Sequence, residues 1–328
     1  MNAPRPRRKG KIGGDKSAIV AQIPAACNDE RLAVEFLEEQ RWGDTPCCPR
    51  CGDTDVRKMV DAKTGERSRR FLWRCSGCKR QYTVRINSVY EDSRIPLRHW
   101  VFAFWAACAS KKGVSALQVK RQTGLNYRSA LFLMNRIRFA MSNSPDSPRP
   151  LMSGVVETDE VYVGGAPRES AHKRAHWSTK APVVAMVQRG GELRAWAVTK
   201  VTGEGLQRLF RENVAKGTVC VTDGNKKYEC AIRGLGTHKV IKHHLREYVD
   251  PTDRATHTNT VEGFFSLFRK KLDGTHHWVS KKHLHRYADE AAFIYTNRGV
   301  DDGERTVRAI RGASGKRLTY AECVKESA

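Results

Sequence analysis

The chain has 328 residues, with 59 lysines and arginines against 35 aspartates and glutamates, so its formal net charge is +24. This length allows two or three domains with separate cores. The positive excess indicates a polyanionic partner, because nucleic acid releases counterions when lysines and arginines bind it. The longest apolar run, Val101 to Ala109, is far shorter than the ~20 residues of a membrane span. No apolar secretory segment is present near Met1, so the ten cysteines favour a metal site in a reduced cytoplasm over disulfides.

The N-terminal part of the chain is basic and then becomes amphipathic. Residues 1–27 are predicted to form a disordered basic arm, since arginines and lysines alternate there with glycines and prolines. A helix is expected from Asn28 to Trp42, with Asn28 or Asp29 as its N-cap. This helix and the cysteine-rich segment after it are predicted to form one unit of residues 28–95.

Two Cys-x-x-Cys pairs lie in that unit, and the last cysteine of the first pair is 24 positions from the first cysteine of the second. Four thiolates in two such knuckles match a tetrahedral zinc site and resemble a zinc ribbon. Cysteines buried only as small apolar side chains would not explain two matched knuckles. Cys48 fits the Cys-Pro-x-Cys-Gly form of a knuckle, because Pro49 follows it directly. Cys47 is therefore not expected to bind the metal. The predicted ligands of one structural Zn²⁺ are Cys48, Cys51, Cys75 and Cys78.

Residues 96–142 are predicted to be helical and to contain a helix-turn-helix. Ser115 caps a short helix, Gly124 ends it, and Asn126 caps a longer basic helix. Many helical hairpins share this pattern, but the neighbouring zinc ribbon favours a DNA-binding role. The predicted DNA contacts are Arg128, Arg136 and Arg138. The proline-rich residues 143–150 are expected to be a linker to the next domain.

The next segment, Val155 to Val163, alternates in the manner of a β-strand. Glu157 and Asp159 lie on the same face of this segment as Val155, Val161 and Val163. Burying two carboxylates costs several kcal/mol unless a cation or hydrogen bonds satisfy them. The segment is therefore predicted to be either an edge strand or the floor of a metal site.

Two later carboxylates favour the metal site. Asp223 ends a short apolar strand, and Glu262 lies on an amphipathic helix that spans Thr258 to Leu272. Each acid alone would also suit a turn or a solvated surface. Together, however, three hard oxygen ligands can hold two Mg²⁺ ions about 3.5–4 Å apart, an arrangement used in phosphodiester chemistry. The mixed order of strands and helices in this part predicts an α/β fold.

Three segments, Glu157 to Gly165, Thr222 to Gly224 and His257 to Lys270, resemble motifs of insertion-sequence transposases of the ISXO-like DDE family. In that family a zinc ribbon and a helical region precede a ribonuclease-H-like catalytic domain. The resemblance therefore implies a ribonuclease-H-like α/β catalytic domain over residues 151–300. Residues 301–328 would then be a C-terminal tail.

The resemblance also implies which residues act. Asp159 and Asp223 would be the first two metal ligands. The third would be Glu262 or Asn259, one helical turn apart, because relatives carry either Glu or Asn there. We favour Glu262, since its charge suits Mg²⁺ better than a neutral amide does. Family members tend to have a lysine seven residues beyond this acid, where the chain has arginine; the expected phosphate contacts are Arg269 and Lys270.

The implied function is that of a DNA transposase. Two Mg²⁺ or Mn²⁺ ions would activate water to nick the ends of an element, and then activate the freed 3′-OH to attack target DNA. Double-stranded DNA is the expected partner, with several copies of the chain assembled on it in the cytoplasm and no membrane involved. Glu157 and Glu160 are expected behind the ligands or at the surface.

Two other classes of protein fit the same features. One is a zinc-ribbon, helix-turn-helix regulator whose C-terminal domain no longer cuts DNA. The other is a ribonuclease-H-like nuclease or resolvase that acts on branched DNA. Metal-dependent strand transfer between two DNA molecules distinguishes a transposase from both alternatives.

Overall fold

The computed structural model describes residues 18–143, 149–164, 180–241, 249–250 and 253–325. The α-helices are α1 (Ala18–Asn28), α2 (Glu30–Trp42), α3 (Leu97–Ala109), α4 (Ala116–Thr123), α5 (Tyr127–Met141), α6 (Gly203–Asn213), α7 (Lys226–Ile232), α8 (Asn259–Lys271), α9 (Leu284–Thr296), α10 (Asp302–Arg311) and α11 (Tyr320–Val324). The strands are β1 (Val56–Lys58), β2 (Trp73–Cys75), β3 (Gln81–Tyr82), β4 (Val155–Val163), β5 (Ala181–Gln188), β6 (Leu193–Ala197), β7 (Val219–Asp223) and β8 (Thr237–Ile241).

Helices α1 to α5 pack around a shared apolar core in the N-terminal half. Trp100 and Phe104 of α3 are fully buried there, together with Leu133 of α5. Helix α1 contributes Ile23 and Ala26, each 2% exposed. The prediction of a disordered arm was therefore wrong for residues 18–27, because the apolar side chains of this stretch have a core to enter. Residues 1–17 of that predicted arm lie outside the described residues.

The C-terminal segment returns to this same core. Val307 and Ile310 of α10 are buried against the N-terminal helices. Arg305 donates to the backbone oxygen of Cys108 at 2.8 Å, which ties α10 to the end of α3. The prediction that residues 301–328 form a tail was wrong for the described residues to 325, because the apolar face of α10 completes the helical core.

A small antiparallel sheet, in the order β1-β2-β3, follows α2. Glu38 of α2 holds this sheet through a buried carboxylate. It accepts hydrogen bonds from both terminal nitrogens of Arg67, at 2.6 and 2.8 Å, and from Trp73 Nε1 at 2.8 Å. The cysteine-bearing segment is thereby fixed to the helix that precedes it.

The second half contains a five-stranded mixed sheet in the order β6-β5-β4-β7-β8. Strand β4 pairs antiparallel with β5 and parallel with β7. Alternate residues of β5 enter two different cores: Val183 and Val187 pack toward α8 and α9, whereas Val184 and Met186 pack toward α6 and α7. The α/β prediction is confirmed. The edge-strand alternative for β4 is wrong, because β4 lies in the middle of the sheet.

Within the residues described, none of the helices combines the length and the apolar composition needed to cross a bilayer.

Candidate active site and zinc site

The four predicted zinc ligands converge in the small N-terminal sheet. Their ligand atoms all lie within 4.8 Å of one another; the residues are Cys48, Cys51, Cys75 and Cys78. The Cys48 and Cys78 sulfurs are 3.7 Å apart, and those of Cys51 and Cys75 are 3.5 Å apart. Sulfurs arranged tetrahedrally at 2.3 Å from a zinc ion lie about 3.8 Å from one another. The cluster therefore fits zinc, and Cys47 is not part of it.

Backbone geometry supports this fit at both knuckles. Gly52 and Lys79, each directly after a knuckle, have φ values of 79° and 57°. This left-handed conformation makes the tight turn that aims amide groups back at the sulfurs. The backbone amide of Arg80 lowers the pKa of Cys78 to about 7. The pKa of Cys75 is instead raised to about 12, against a hydrogen bond from the Cys78 backbone amide, by burial and by the neighbouring Cys51 and Cys78 thiols. The fit to zinc therefore rests on the geometry of the four sulfurs.

Strand β4 carries three acids, and the structure gives them three different environments. Glu157 is fully buried and accepts hydrogen bonds from Arg189 and from the start of α8. Glu160 is half-buried and accepts from the Tyr228 hydroxyl and from Asn225 Nδ2. Asp159 is half-buried and lines an open cavity of about 390 Å³. Of the three, Asp159 alone lines this cavity, as expected for a metal ligand.

Asp223 is brought to the same end of the sheet by strand register. Val155 and Glu157 of β4 lie beside Val219 and Val221 of β7 in a parallel pair. Two residues further along each strand are Asp159 and Asp223. Continuing this register places the two aspartates side by side, at the point where β7 ends and β4 runs on to Val163.

Helix α8 provides most of the remaining side chains of the cavity, and Asp273, just beyond the end of α8, provides another. Glu262 lines it together with Arg269 and Lys270, which follow two helical turns later. The Glu262 carboxylate accepts a hydrogen bond from Thr258 Oγ1 at 2.7 Å. Asn259 is exposed and is not among the residues that line the cavity. Of the two candidates for a third ligand, Glu262 is therefore the one that faces Asp159 across the cavity.

The electrostatics of this site are unfavourable for a bare protein. Burial, together with the nearby charges of Glu160, Asp223 and Glu262, raises the pKa of Asp159 to about 7, against a hydrogen bond from the Glu160 backbone amide. A carboxyl with a pKa near 7 indicates negative charge that lacks a counter-charge. Such a set of oxygen donors fits hard divalent cations.

The acids border the cavity and do not meet at one point. Within the described ranges, the four cysteines are the one group of three or more His, Cys, Asp or Glu side chains close enough to share a single ion. The Asp159 and Glu262 side chains face the same space, and the charge of Asp223 acts on Asp159. An arrangement of this kind suits ions held by pairs of acids better than one ion held by all three.

Known proteins share both halves of this architecture. Residues 151–296 match the family model of the ISXO2-like transposase domain, and residues 28–81 match that of the transposase zinc-ribbon domain. The chain therefore contains a transposase zinc ribbon followed by an ISXO2-like transposase domain. A protein encoded in a mobile element resembles this chain over most of its length. It is an uncharacterized protein in transposable element ISH50 of Halobacterium salinarum, 27% identical over 273 residues, covering 79% of this chain and 88% of that protein.

The short and the long helix of the predicted helix-turn-helix are both present, with the predicted caps. Ser115 caps α4, Gly124 ends it with φ 72°, and the Asn126 side chain caps α5 by accepting from the Ser129 amide at 2.8 Å. Arg128, in the first turn of α5, is exposed. The N-terminal turn of a recognition helix is the part that reaches base edges, so its position suits a DNA contact.

The other two predicted DNA contacts were wrong, because both arginines are buried. Arg136 donates to the backbone oxygens of Val89, Glu91 and Leu318. Arg138 is 1% exposed and donates from Nε to Glu290 at 2.8 Å. Guanidinium groups buried inside the protein cannot reach DNA in this structure. The apolar face of α5 packs into the helical core, and both arginines lie among its buried residues.

The zinc site leads to a first prediction. Purified full-length protein should hold one zinc ion per chain, because four thiolates complete a tetrahedral shell. Cys75→Ser should lose the zinc and unfold the N-terminal sheet, whereas Cys47→Ser should keep both. Metal analysis by mass spectrometry, with thermal unfolding of each variant, measures this. Equal zinc content in Cys75→Ser and the parent protein would contradict the assignment.

Asp159 leads to a second prediction, on stability against pH. A folded-state pKa near 7 means that stability is full below the unfolded pKa of about 4 and declines as pH rises to 7. Asp159→Asn removes this decline, so at pH 8 the variant should exceed the parent by on the order of 2–4 kcal/mol. At pH 4 the two should agree. Urea unfolding without added divalent metal gives both values.

Asp61 provides a control of opposite sign. The backbone amides of Thr64 and Lys63 lower the pKa of this exposed carboxyl. Its contribution is therefore present above the unfolded pKa and is lost as pH falls. Asp61→Asn should not stabilise the protein at pH 8. A similar gain in both variants would mean that net charge, and not the environment of Asp159, causes the effect.

Proposed function

We propose that this chain is a DNA transposase with a ribonuclease-H-like catalytic domain. It would bind the ends of an insertion sequence, cleave DNA strands there and join them to target DNA. One observation carries the proposal: within the ISXO2-like domain, Asp159 and Glu262 face one open cavity beside the cations Arg269 and Lys270. Acids for metal ions and cations for phosphate in one cavity suit phosphodiester chemistry.

Asp159, Asp223 and Glu262 are the proposed ligands of two Mg²⁺ or Mn²⁺ ions. When bound, such a pair activates an attacking oxygen and stabilises the leaving one. The protein residues supply the site for this chemistry. Thr258 orients the Glu262 carboxylate through its hydroxyl hydrogen bond. The raised pKa of Asp159 supports cation binding, because a cation would relieve the repulsion among the acids.

Arg269 and Lys270 are the proposed phosphate contacts. Both are exposed and line the cavity that holds Asp159 and Glu262. They follow Glu262 by seven and eight residues, so two helical turns separate them from the acid on α8. That spacing lets the cations hold DNA phosphates while the acids face the reacting bond. The arginine at the usual lysine position keeps the positive charge.

DNA binding is proposed to use the N-terminal half of the chain. Arg128 extends from the first turn of α5, where base edges and phosphates are within reach of a recognition helix. The zinc ribbon contributes further exposed cations on one small module: Arg57, Lys58, Arg69, Arg70, Lys79 and Arg80. We also propose that several copies act together on DNA, since two ends and a target must be held at once.

The catalytic proposal predicts the behaviour of four variants. Asp159→Asn, Asp223→Asn and Glu262→Gln should each lower cleavage and strand transfer in Mg²⁺ by at least about 10²-fold, because each removes one anionic ligand. Asn259→Ala should have a smaller effect. DNA binding should stay nearly intact in all four, as the cations remain. Strand transfer on pre-cleaved ends, at matched DNA occupancy, measures the difference.

Two outcomes would contradict parts of this proposal. An active Glu262→Gln with an inactive Asn259→Ala would move the third ligand to Asn259. Full activity in both aspartate variants would exclude the metal-dependent mechanism. A protein that binds the element's ends without cleaving them would then fit the regulator. Cleavage of branched DNA without strand transfer would fit the nuclease.

The proposed role of α5 in DNA binding predicts a change in affinity and in its salt dependence. Arg128→Ala should weaken binding to the element's ends and lower the salt slope by about one unit, since one phosphate contact releases about one counterion. Arg208→Ala on α6, an exposed arginine in the catalytic domain, is the control and should change neither quantity. Arg136→Ala should instead lower thermal stability. Fluorescence anisotropy at several salt concentrations measures the slopes, and an unchanged slope in Arg128→Ala would contradict the role of α5.

A further inference from the structure

Glu157 is a buried acid with an unusually complete set of partners. It lies two residues before Asp159 on the same face of β4 and is 0% exposed. Its Oε1 atom accepts from Arg189 Nε at 2.6 Å and from Thr260 Oγ1 at 2.8 Å. Its Oε2 atom accepts from the backbone amides of Thr260 at 2.8 Å and Val261 at 3.1 Å. Four donors fill the acceptor sites of one carboxylate, so Glu157 has none left for a metal ion.

These bonds replace a missing helix cap. The first amides of a helix have no partner within it, and a polar side chain at the N-cap usually accepts one of them. The N-cap residue of α8 is Thr258, which makes no capping hydrogen bond with its side chain. Glu157 accepts from the second and third residues of α8 instead. Its negative charge also suits the positive end of the helix dipole.

Arg189 extends this contact to the chain segment before α8. Its Nε atom bonds to Glu157, and one terminal nitrogen donates to the backbone oxygen of His257 at 2.8 Å. The other terminal nitrogen donates to the backbone oxygen of Ala255. Arg189 thereby neutralises the buried acid and fixes the segment that leads into α8.

The position of this contact decides its consequence. Glu157 precedes Asp159 by two strand residues, about 7 Å. Its partner Val261 directly precedes Glu262. One carboxylate thus joins the strand of the first proposed metal ligand to the helix of the third, within two residues of each ligand.

We propose that Glu157 is a positioning residue that sets the separation of Asp159 and Glu262 and so tunes the affinity of the site for divalent cations. This inference rests on the proposed function, because it assumes that the two acids hold metal. Groups behind metal ligands typically change metal affinity by 10–100-fold when altered. Glu157 acts through the placement of α8 and does not itself contact metal or DNA.

The test is a titration of the full-length protein with Mn²⁺. Electron paramagnetic resonance measures the free Mn²⁺ and so gives the amount that is bound. Glu157→Gln keeps the shape of the side chain, but its amide NH₂ would face the N–H donors of α8. We expect about 10-fold weaker Mn²⁺ binding with the fold retained. Glu38→Gln is the matched control, since Glu38 is also a buried acid with an arginine partner, in the N-terminal module. It should lower thermal stability and leave Mn²⁺ affinity unchanged.

The outcomes separate this inference from the proposed function. Loss of Mn²⁺ binding in Asp159→Asn with parental affinity in Glu157→Gln would overturn the positioning role alone. Parental binding in Asp159→Asn would overturn the proposed metal site itself. If Glu157→Gln does not fold, Thr260→Val is used to test the positioning role. This substitution removes only the hydroxyl hydrogen bond from Thr260 to Glu157 and keeps the size of the side chain. A several-fold loss of Mn²⁺ affinity in Thr260→Val supports the inference, and parental affinity overturns it.

Discussion

The ISXO2-like domain of this protein depends on how the negative charge of a buried central strand is balanced. Strand β4 presents three acids within four residues in the middle of a sheet, where desolvation disfavours every charge. Glu157 is balanced by Arg189 and helix amides, and Glu160 by the Tyr228 hydroxyl and Asn225. Asp159 is the acid whose pKa rises to about 7. Burial also raises the pKa of Glu160, so an energetic cost falls on both acids, including the one that faces the cavity, as expected where a site trades stability for function.

Helix α8 is fixed at both ends by buried carboxylates from other elements. Glu157 holds its first turn, and Glu290 of α9 binds Lys271, its last residue, at 2.9 Å. Glu290 also binds Arg138 of α5 at 2.8 Å. Both of these ion pairs are almost fully buried, so loss of one partner would leave an uncompensated charge, which typically costs about 3–5 kcal/mol. The helix that carries Glu262 is therefore connected to the sheet through Glu157, and to α5 through Glu290.

The ion pairs of Glu290 also explain why a glycine is needed at position 113. Gly113, with φ 70°, lies in the segment between α3 and α4, directly over the Glu290 and Lys271 side chains. A Cβ atom there would come within 2.8 Å of Glu290 Oε1. The close approach brings the helix-turn-helix region onto the buried ion pairs. The helices that we propose to bind DNA and the proposed catalytic helix thus meet at one buried junction.

The sequence by itself determined the features that local rules govern. The knuckle cysteines, the caps Ser115 and Asn126, and the alternation of β4 each depend on residues within a turn or two. Tertiary structure decided which polar side chains are buried, because their partners lie far away in the chain. Arg138 meets Glu290 across 152 positions, and Glu157 meets the amide of Thr260 across 103. No periodicity within α5 or β4 carries that information, since burial of a charge depends on a counter-charge that only folding brings near.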